Sequence, residues 1–213
     1  MTLVRSTNLR ARIEQRFRGT QPGGDPLESL TAGLEPAQIE ELRRHLPQTL
    51  TPAAVMVPLV ERLDGLTVLL TQRASHLKAH PGQISFPGGR VEASDASPWD
   101  AALREAEEEI GLAREFASLA GFLRDHLVLT GFRITPAVAF VRPGFDLTLD
   151  LTEVEDVFEV PLEFVLDPAH RVERTRVFAG HSFTTYDIPY RDRHIWGATA
   201  AMLINLAERL QET

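Results

Sequence analysis

The sequence has 213 residues, of which 43% are hydrophobic, and this is enough for one globular domain with a sizeable core. Its net charge is −8, which argues against a nucleic-acid-binding protein, because such proteins usually carry a basic surface. The sequence contains no cysteine, which excludes disulfide frameworks and thiol catalysis and leads us to expect a cytoplasmic protein. It also contains no apolar run near the roughly 20 residues that span a bilayer, which excludes membrane-spanning helices.

The first part of the chain is expected to precede the main domain. Residues 1–30 are interpreted as a helix followed by a linker, and residues 31–213 as a single domain. The helix is predicted over residues 5–18, and residues 20–26, rich in glycine and proline, form the linker. The apolar residues that recur at helical spacing in this helix are Leu9, Ile13 and Phe17.

Further along the chain, helix and strand signals follow one another. Residues 35–46 predict a second helix that lies between two prolines. The apolar runs 53–63 and 66–73 predict a β-hairpin, because Asp64-Gly65 between them is a strong turn signal. The later predicted elements are strands within 116–129 and 134–141, a loop or short helix over 154–161, a hairpin over 171–188 and a closing helix over 197–210. This order alone indicates an α/β or α+β fold without choosing between them.

A central helix is the best-signalled element. Ser97 is a good N-cap, and Pro98 occupies the first helical position, where its missing N–H costs nothing. Gly111 can adopt the left-handed conformation that ends many helices. The sequence therefore predicts a helix from Pro98 to the residue before Gly111.

This helix places three carboxylates on one face. Glu105, Glu108 and Glu109 are three and four residues apart, so they are surface neighbours, and like charges at this spacing destabilise a helix. An isolated run of glutamates is most often a solvated acidic face. A divalent cation would relieve the repulsion, since Mg²⁺ prefers carboxylate oxygens together with substrate phosphates. The segment therefore suggests a metal site for phosphate chemistry.

The helix also fits a known family pattern. Residues 104–112, with the sequence REAEEEIGL, resemble the helical half of the Nudix hydrolase signature, R-E-apolar-x-E-E-x-G-apolar, and fill every fixed position. The resemblance implies an α/β/α sandwich with a mixed β-sheet, Mg²⁺ or Mn²⁺ on the helix glutamates, and a nucleoside diphosphate derivative as the substrate. The family usually has a glutamate that braces the arginine. Asp95 stands in its place here, with one extra residue before Arg104, and this shorter side chain is still able to make that contact.

A second pattern upstream points to one branch of the family. Residues 69–74, LLTQRA, are followed by Lys78, Gly82 and the FPGG of residues 86–89. This resembles the added signature of coenzyme A pyrophosphatases, L-L-T-x-R-S/A, three residues, R, three residues, G, three residues, F-P-G-G. Every spacing agrees, and the one substitution is Lys78, where the branch usually has an arginine with its bidentate fork.

The helix residues receive separate roles. Glu105 and Glu109 are the expected metal ligands, because they lie one turn apart on the same face, and Glu108 is expected to be a ligand or the base for the attacking water. Arg104 is expected to position Glu105. Gly88 or Gly89 is a candidate to lend a backbone carbonyl to the metal, because glycine permits close backbone approach. Glu107 points round the helix and is expected to be a solvated bystander.

Other candidates lie outside the helix. Glu153 is favoured over Glu155 as a fourth carboxylate, because it falls where the coenzyme A branch has a Glu-Val pair, although a plain surface acid is as good an interpretation. Arg73 and Lys78 are the candidate substrate-binding residues, since both lie within the upstream motif. Trp196 and Phe132 are expected to be core residues rather than stacking platforms for adenine. Asp125-His126 suggests a base, yet no third residue completes a triad.

The leading interpretation is a Mg²⁺- or Mn²⁺-dependent pyrophosphatase that cleaves coenzyme A or its derivatives to 4′-phosphopantetheine (or its acyl form) and adenosine 3′,5′-bisphosphate. One alternative is a Nudix enzyme for ADP-ribose or another nucleoside diphosphate derivative, because the helix serves all these substrates. Another is a non-catalytic module that senses nucleotides. The expected partner is a small-molecule substrate, with no nucleic acid and no membrane, and a homodimer stays open as the assembly.

Overall fold

The fold is seen in a computed structural model that describes residues 2–27, 35–178 and 180–211. Its α-helices are α1 (Thr2–Phe17), α2 (Pro36–Arg44), α3 (Pro98–Ile110), α4 (Leu162–Leu166) and α5 (Gly197–Gln211). Its strands are β1 (Thr51–Arg62), β2 (Gly65–Arg73), β3 (Ile84–Ser85), β4 (Gly88–Arg90), β5 (Ala117–Phe122), β6 (His126–Val128), β7 (Phe132–Val141), β8 (Val154–Pro161), β9 (Val172–Phe178), β10 (His181–Tyr190) and β11 (Arg193–Ile195).

The strands form a large mixed sheet and a smaller antiparallel one. The large sheet has eight strands, with the central order β3-β2-β1-β7-β5, while β4 pairs with β1, β6 with β7 and β8 with β2. Strands β1 and β7 run parallel over ten residue pairs, and the other pairs in this sheet are antiparallel. The small sheet has the order β11-β10-β9. The expected mixed sheet is therefore confirmed.

Helices cover both faces of the large sheet. Strand β1 shows why, because its apolar side chains alternate between two separate clusters. Val55, Val57 and Leu59 pack with residues of α1 and α5, whereas Ala54 and Met56 pack with residues of α3. The architecture is thus an α/β/α sandwich with α3 on one face and the terminal helix on the other, as the resemblance implies.

Most predicted elements are confirmed. The N-terminal helix, the second helix, the first hairpin, the late hairpin and the closing helix all lie at the predicted places. The turn of the first hairpin is Leu63-Asp64, one residue before the predicted Asp64-Gly65, because Gly65 already pairs with Arg62. The 116–129 region contains two short strands, β5 and β6, rather than one continuous strand. The division into residues 1–30 and 31–213 stays a prediction, part of which falls outside the described residues. Within the described ranges, none of the helices is long and apolar enough to cross a membrane.

One prediction is wrong. Residues 154–161 are not a loop or short helix but strand β8, which pairs antiparallel with β2. Acidic residues masked the strand pattern, and their charges are compensated by residues that are distant in sequence. The Arg62 guanidinium donates to the Glu159 carboxylate at 3.0 Å, and Arg193 donates to Asp156 at 2.6 Å. These partners come from other strands, so no local pattern reveals them.

Candidate functional site

Helix α3 is built by the signals at its two ends. The backbone N–H of Asp100 donates to the Ser97 hydroxyl oxygen at 3.2 Å, as an N-cap requires. Gly111 closes the helix with φ of 69°, and its N–H donates to the Glu107 carbonyl at 3.0 Å. The small apolar residues of the inner face, which are Ala101, Ala102 and Ala106, are fully buried against the sheet. The helix is therefore held rigidly with its glutamate-bearing turn facing the strand that precedes it.

That strand is β4, which begins at the glycine pair. The Gly88 N–H donates to the Glu109 carboxylate at 3.1 Å. A Cβ atom on Gly89 would lie 2.5 Å from the Glu105 carboxylate, and one on Gly88 would lie 2.4 Å from the Ala54 carbonyl oxygen. Gly88 thus requires glycine, because a Cβ atom there would meet the backbone of β1, whereas a Cβ atom at Gly89 would force the end of the Glu105 side chain to move aside.

Glu109 is the most buried carboxylate of the helix, with only 5% of the residue exposed. Burial raises its pKa to about 8, and the charges of Glu105 and Glu153 act in the same direction. The Gly88 N–H and the charge of Arg73 oppose this shift but do not cancel it. An ionised Glu109 therefore lacks enough positive charge around it, which is the environment that a cation would relieve.

Glu105 is in a similar position. Burial raises its pKa, as do the charges of Glu108 and Glu153, although the hydrogen bond from Arg104 lowers it. Glu108 differs, since 60% of its side chain is exposed. The three glutamates thus form a gradient from a buried carboxylate at Glu109 to a solvent-exposed one at Glu108.

Arg104 connects these carboxylates to the loop before the helix. Its guanidinium donates to both oxygens of Asp95, at 3.1 and 3.0 Å, and also to Glu105 at 2.9 Å and Glu108 at 3.0 Å. The bidentate bond to Asp95 raises the pKa of Arg104 and lowers that of Asp95. The shorter aspartate with its extra residue therefore reaches the arginine, and the contact between Arg104 and Glu105 is present as expected.

The residues outside the helix divide into near and distant ones. Glu153 is exposed, yet its charge raises the pKa of both Glu105 and Glu109, so it faces the helix glutamates. Glu155 turns instead to the Ser75 N–H, at 3.1 Å. These contacts agree with the preference for Glu153 as the fourth carboxylate, whose role in the reaction stays a proposal.

The two candidate substrate-binding residues differ. Arg73 ends β2 at a β-bulge, where the register against β8 shifts, and its charge reaches Glu109. In the described ranges no residue accepts a hydrogen bond from its side chain. Lys78 is exposed on the following loop, where the structure gives it no bond to the helix glutamates. Arg73 therefore lies at the site, whereas Lys78 borders it through its loop.

Glu107 lies on the opposite side of the helix. It is exposed and its carboxylate accepts a hydrogen bond from Arg114 at 3.0 Å. A glutamate with this surface partner has no geometric connection to Glu105 or Glu109, in agreement with its interpretation as a bystander.

Asp125 and His126 serve the structure. The Asp125 carboxylate accepts hydrogen bonds from Thr135 at 2.9 Å and from Arg133 at 2.5 Å, so it is fully engaged. Burial lowers the pKa of His126 to about 4, which keeps its imidazole neutral near pH 7. No third residue for a triad is evident in the sequence, and the hydrogen bonds of Asp125 give it a structural role.

The expectation that Trp196 and Phe132 are core residues is wrong. Both are partly exposed and lie outside the hydrophobic clusters of the described residues. Each carries a guanidinium over its ring, Arg176 at 5.1 Å from the Trp196 centroid and Arg90 at 5.5 Å from that of Phe132. These cation–π contacts join residues far apart in sequence, so the pattern of hydrophobicity did not reveal them.

Sequence reasoning missed Arg193. Its guanidinium donates to Gln72 and to Asp156, and it lies 4.8 Å from the centroid of the Phe158 ring. Gln72 and Asp156 face each other in the last regular pair before the bulge at Arg73. Arg193 thus clamps strands β2 and β8 where they lead into the site. A lone arginine at the start of a short strand carries no local signal of such a role.

The residues present fit a divalent cation. The set of carboxylate oxygens is the donor chemistry that Mg²⁺ and Mn²⁺ take, and the glycine pair lets the backbone approach Glu105 without a Cβ between them. Over the described ranges, no three acidic or histidine side chains form a ready-made cation cage. Arg104 holds Glu105 and Glu108 at present, so these two side chains would have to turn from the arginine toward the ion.

Comparisons with known proteins place the chain in a family. The NUDIX domain family matches residues 50–181, which is more than half of the chain. The uncharacterized Nudix hydrolase NudL of Enterobacter sp. (strain 638) is 40% identical over 157 residues, covering 73% of this chain and 80% of that protein. The NudL of Salmonella newport (strain SL254) is 40% identical over 156 residues, with the same coverage.

Solved structures agree in fold. The Nudix hydrolase RenU of M. smegmatis has a TM-score of 0.53 at 19% identity, covering 76% of this chain and 86% of its own. The MutT protein of Methanosarcina mazei Go1 has a TM-score of 0.52 at 19% identity, covering 79% and 99%. With the family match and the NudL relatives, these observations show that the chain belongs to the Nudix family, as a hydrolase of nucleoside diphosphate derivatives.

Proposed function

We propose that this Nudix hydrolase cleaves the pyrophosphate bond of coenzyme A or its derivatives, yielding 4′-phosphopantetheine (or its acyl form) and adenosine 3′,5′-bisphosphate. The observation that carries the proposal is the segment 69–89, which resembles the signature of the coenzyme A branch and runs through β2 and β3 to Gly88. This segment ends at the Gly88 N–H that bonds Glu109. The branch-specific residues therefore lead directly into the carboxylate site.

Four groups are proposed as metal ligands. Glu105, Glu109 and Glu108 would hold Mg²⁺ or Mn²⁺ with the backbone carbonyl of Gly88, and members of the family generally use such ions. When bound, the ion neutralises phosphate charge, orients the phosphates and lowers the pKa of a bound water. The raised pKa of Glu109 supports this assignment, because a nearby cation would stabilise its ionised form.

The catalytic roles are proposed for Glu108, Glu153 and Arg104. A base must accept a proton from water, so it needs an exposed carboxylate, and Glu108 is the most exposed glutamate on the metal face of the helix. Glu153 faces the same carboxylates from the beginning of β8 and is the second candidate. Arg104 acts through its bonds to Asp95 and Glu105, which hold the glutamate in place.

The substrate phosphates are assigned to Arg73 and Lys78. Arg73 is close enough to lower the pKa of Glu109, and no described residue accepts a hydrogen bond from its side chain, so its donors are available to a phosphate oxygen. Lys78 extends from the exposed loop that connects β2 to β3, where it is proposed to meet the distal part of the substrate. We place the reaction in the cytoplasm, as expected for a cysteine-free enzyme.

A substrate panel tests the proposal. Purified protein with Mg²⁺ or Mn²⁺ is assayed on coenzyme A, ADP-ribose, NADH and diadenosine polyphosphates, and the products are identified by mass. Coenzyme A should be turned over well ahead of the others and give the two products named above. Equal or faster turnover of ADP-ribose would remove the coenzyme A assignment and leave a Nudix hydrolase of another nucleoside diphosphate derivative.

The non-catalytic alternative is tested by the same assay. A sensor would bind nucleotides without releasing phosphate products in the presence of Mg²⁺. The full set of Arg104, Glu105, Glu108 and Glu109 favours the enzyme, because a module that no longer hydrolyses its ligand tolerates loss of these carboxylates. Absence of products from every substrate in the panel would favour the sensor.

A further inference from the structure

The outer side of the small sheet carries an unusual group of charges. Side chains alternate along its strands, and Ile188 and Ile195 point from one side into the hydrophobic core. Thr185, Asp187 and Pro189 alternate with Ile188 and so lie on the other side of β10. Pairing places Arg174 opposite Thr185 and His194 opposite Pro189, so these two residues share that side with Asp187. We name this group the outer cationic face. Its members are Arg174, Arg176, Asp187, His194 and Trp196.

This face has more positive than negative charge. Its one carboxylate, Asp187, has a side chain that is only 3% exposed and accepts hydrogen bonds from Arg174 at 3.0 Å and His194 at 3.1 Å. Burial acts to raise the pKa of Asp187, but these hydrogen bonds more than offset it, so its pKa is lowered and the group is ionised. Two guanidinium groups therefore share one carboxylate, in a chain whose net charge is −8.

The two arginines keep donors available. Arg176 lies 3.6 Å from Asp187 as an ion pair without a hydrogen bond, and no described residue accepts a hydrogen bond from its guanidinium. Arg174 uses its Nε atom, which leaves its two terminal nitrogens unengaged by the described residues. The side chain of Arg176 is 48% exposed and that of Arg174 is 55% exposed. Both planar forks are thus open to an oxyanion, whose oxygens they match in geometry.

The forks are also held in position. Asp187 anchors both guanidinium groups from beneath, and Trp196 supports Arg176 through its ring at 5.1 Å. Arg174 and His194 hold Asp187 through hydrogen bonds, whereas Arg176 reaches it only as an ion pair and makes no hydrogen bond to a described residue. A preorganised cationic pair loses less side-chain freedom when it binds an anion.

The small sheet is fixed to the strands that lead into the carboxylate site. From the opposite side of the sheet, Arg193 reaches Gln72 and Asp156, next to Arg73. Beyond the sheet, the Thr199 hydroxyl donates at 2.9 Å to the carbonyl of Ile84, which begins β3 shortly before Gly88. The small sheet that carries the outer cationic face is therefore bonded to the strands that lead into the carboxylate site.

We propose that the outer cationic face binds a phosphate group that the nucleotide substrate carries outside the scissile pyrophosphate. Arg176 and Arg174 donate to the phosphate oxygens. Because the phosphate is taken to be the substrate's, the inference rests on the proposed function. It makes this face a determinant of specificity that is separate from the helix glutamates, Arg73 and Lys78.

The test measures binding without turnover. Calorimetry without divalent cations compares adenosine 3′,5′-bisphosphate with adenosine 5′-monophosphate on the wild-type chain and on Arg176→Gln. The wild type should bind the bisphosphate about tenfold more tightly, as expected for one extra charge-assisted contact. In Arg176→Gln this preference should nearly vanish. Arg142→Gln is the matched control, because Arg142 also lies over an aromatic ring, that of Phe116, but outside the face.

Arg176 makes no hydrogen bond to a described residue, so Arg176→Gln should leave the melting temperature nearly unchanged. Arg174→Gln is a second variant for the same binding measurement. Turnover with Mg²⁺ gives a further readout, in which Arg176→Gln raises KM for coenzyme A but not for 3′-dephospho-coenzyme A and leaves kcat unchanged. No bisphosphate preference in the wild type, or an undiminished preference in Arg176→Gln, would overturn the inference even if coenzyme A is hydrolysed. A preference for the bisphosphate that depends on Arg176 would support the inference even if coenzyme A is not hydrolysed. In that case only the proposed function is wrong.

Discussion

The backbone N–H of Gly88 donates to the Glu109 carboxylate at 3.1 Å, and this bond joins the two halves of the candidate site. Gly88 lies at the end of the 69–89 segment that resembles the coenzyme A branch, next to its last residue, and Glu109 belongs to the helix that carries the Nudix signature. Because Glu109 is buried, the single hydrogen bond does not compensate its charge, and its pKa rises to about 8. The predictions below follow from this relationship.

The first prediction concerns the metal ligands. Glu105→Gln and Glu109→Gln keep the size and hydrogen bonding of the side chain but remove its charge, so each should lower kcat by orders of magnitude. Without metal, folding should be unharmed or slightly improved, because relieving the repulsion stabilises a helix by roughly 0.2–0.5 kcal/mol per pair. Steady-state kinetics and urea unfolding measure the two effects. Glu107→Gln is the control, and an inactive Glu107 variant beside a fully active Glu109 variant would show that the metal face is wrongly assigned.

The second prediction concerns metal binding and stability. An ion that binds only the folded state stabilises it, so added Mg²⁺ should raise the melting temperature of the wild type. The increase should be much smaller for Glu109→Gln, which lacks the most buried carboxylate of the set. Differential scanning calorimetry over a Mg²⁺ titration measures both. Equal increases in the two proteins would mean that the stabilising ion binds elsewhere.

The third prediction is a pH dependence without metal. The folded-state pKa of Glu109 is about 8, above the ordinary value of 4.5. At a pH between these two values, Glu109 is therefore protonated in the folded state and ionised in the unfolded state. Its contribution to the free energy of unfolding is therefore greatest below pH 4.5 and falls as the pH rises toward 8, by up to about 1.4 kcal/mol per pH unit. Urea unfolding at several pH values should show a steeper loss in the wild type than in Glu109→Gln. Parallel curves would contradict the assignment.

The fourth prediction concerns the brace on Arg104. Asp95→Asn weakens the bidentate contact, so Arg104 should no longer hold Glu105 firmly, and activity or metal affinity should fall about 10- to 100-fold. Arg104→Lys should behave similarly, because lysine keeps the charge but lacks the planar fork. Kinetics at varied Mg²⁺ concentration separate a loss of metal affinity from a loss of turnover. Full activity in Asp95→Asn would reduce Asp95 to a loop residue.

The fifth prediction concerns the glycine pair. In Gly89→Ala the new Cβ would lie 2.5 Å from the Glu105 carboxylate, so the glutamate or the strand must move. Mg²⁺ affinity should fall by at least about tenfold, in the range seen when groups that orient metal ligands are removed. Calorimetric titration of Mg²⁺ measures the change, and circular dichroism confirms the fold. Unchanged Mg²⁺ affinity would place the ion away from Glu105.

Local signals in the sequence determined the elements that depend on neighbouring residues. Helix α3 begins at its Ser97 cap and ends before Gly111, and the first hairpin turns within one residue of the Asp64-Gly65 signal, because caps and turns are set by the residues that form them. The spacing of Glu105, Glu108 and Glu109 likewise places them together on any helix. These features needed no knowledge of the fold.

Only the tertiary structure decided what depends on distant partners. Strand β8 was missed because its acidic residues are neutralised by Arg62 and Arg193 from other strands. The helix pattern cannot tell that Glu109 is buried and Glu108 exposed, since burial depends on the strand packed against each side chain. The outer cationic face has no sequence motif, because β-pairing brings its arginines on β9 and His194 on β11 to Asp187 on β10. Charge compensation and desolvation act through space, so they emerge only when the chain has folded.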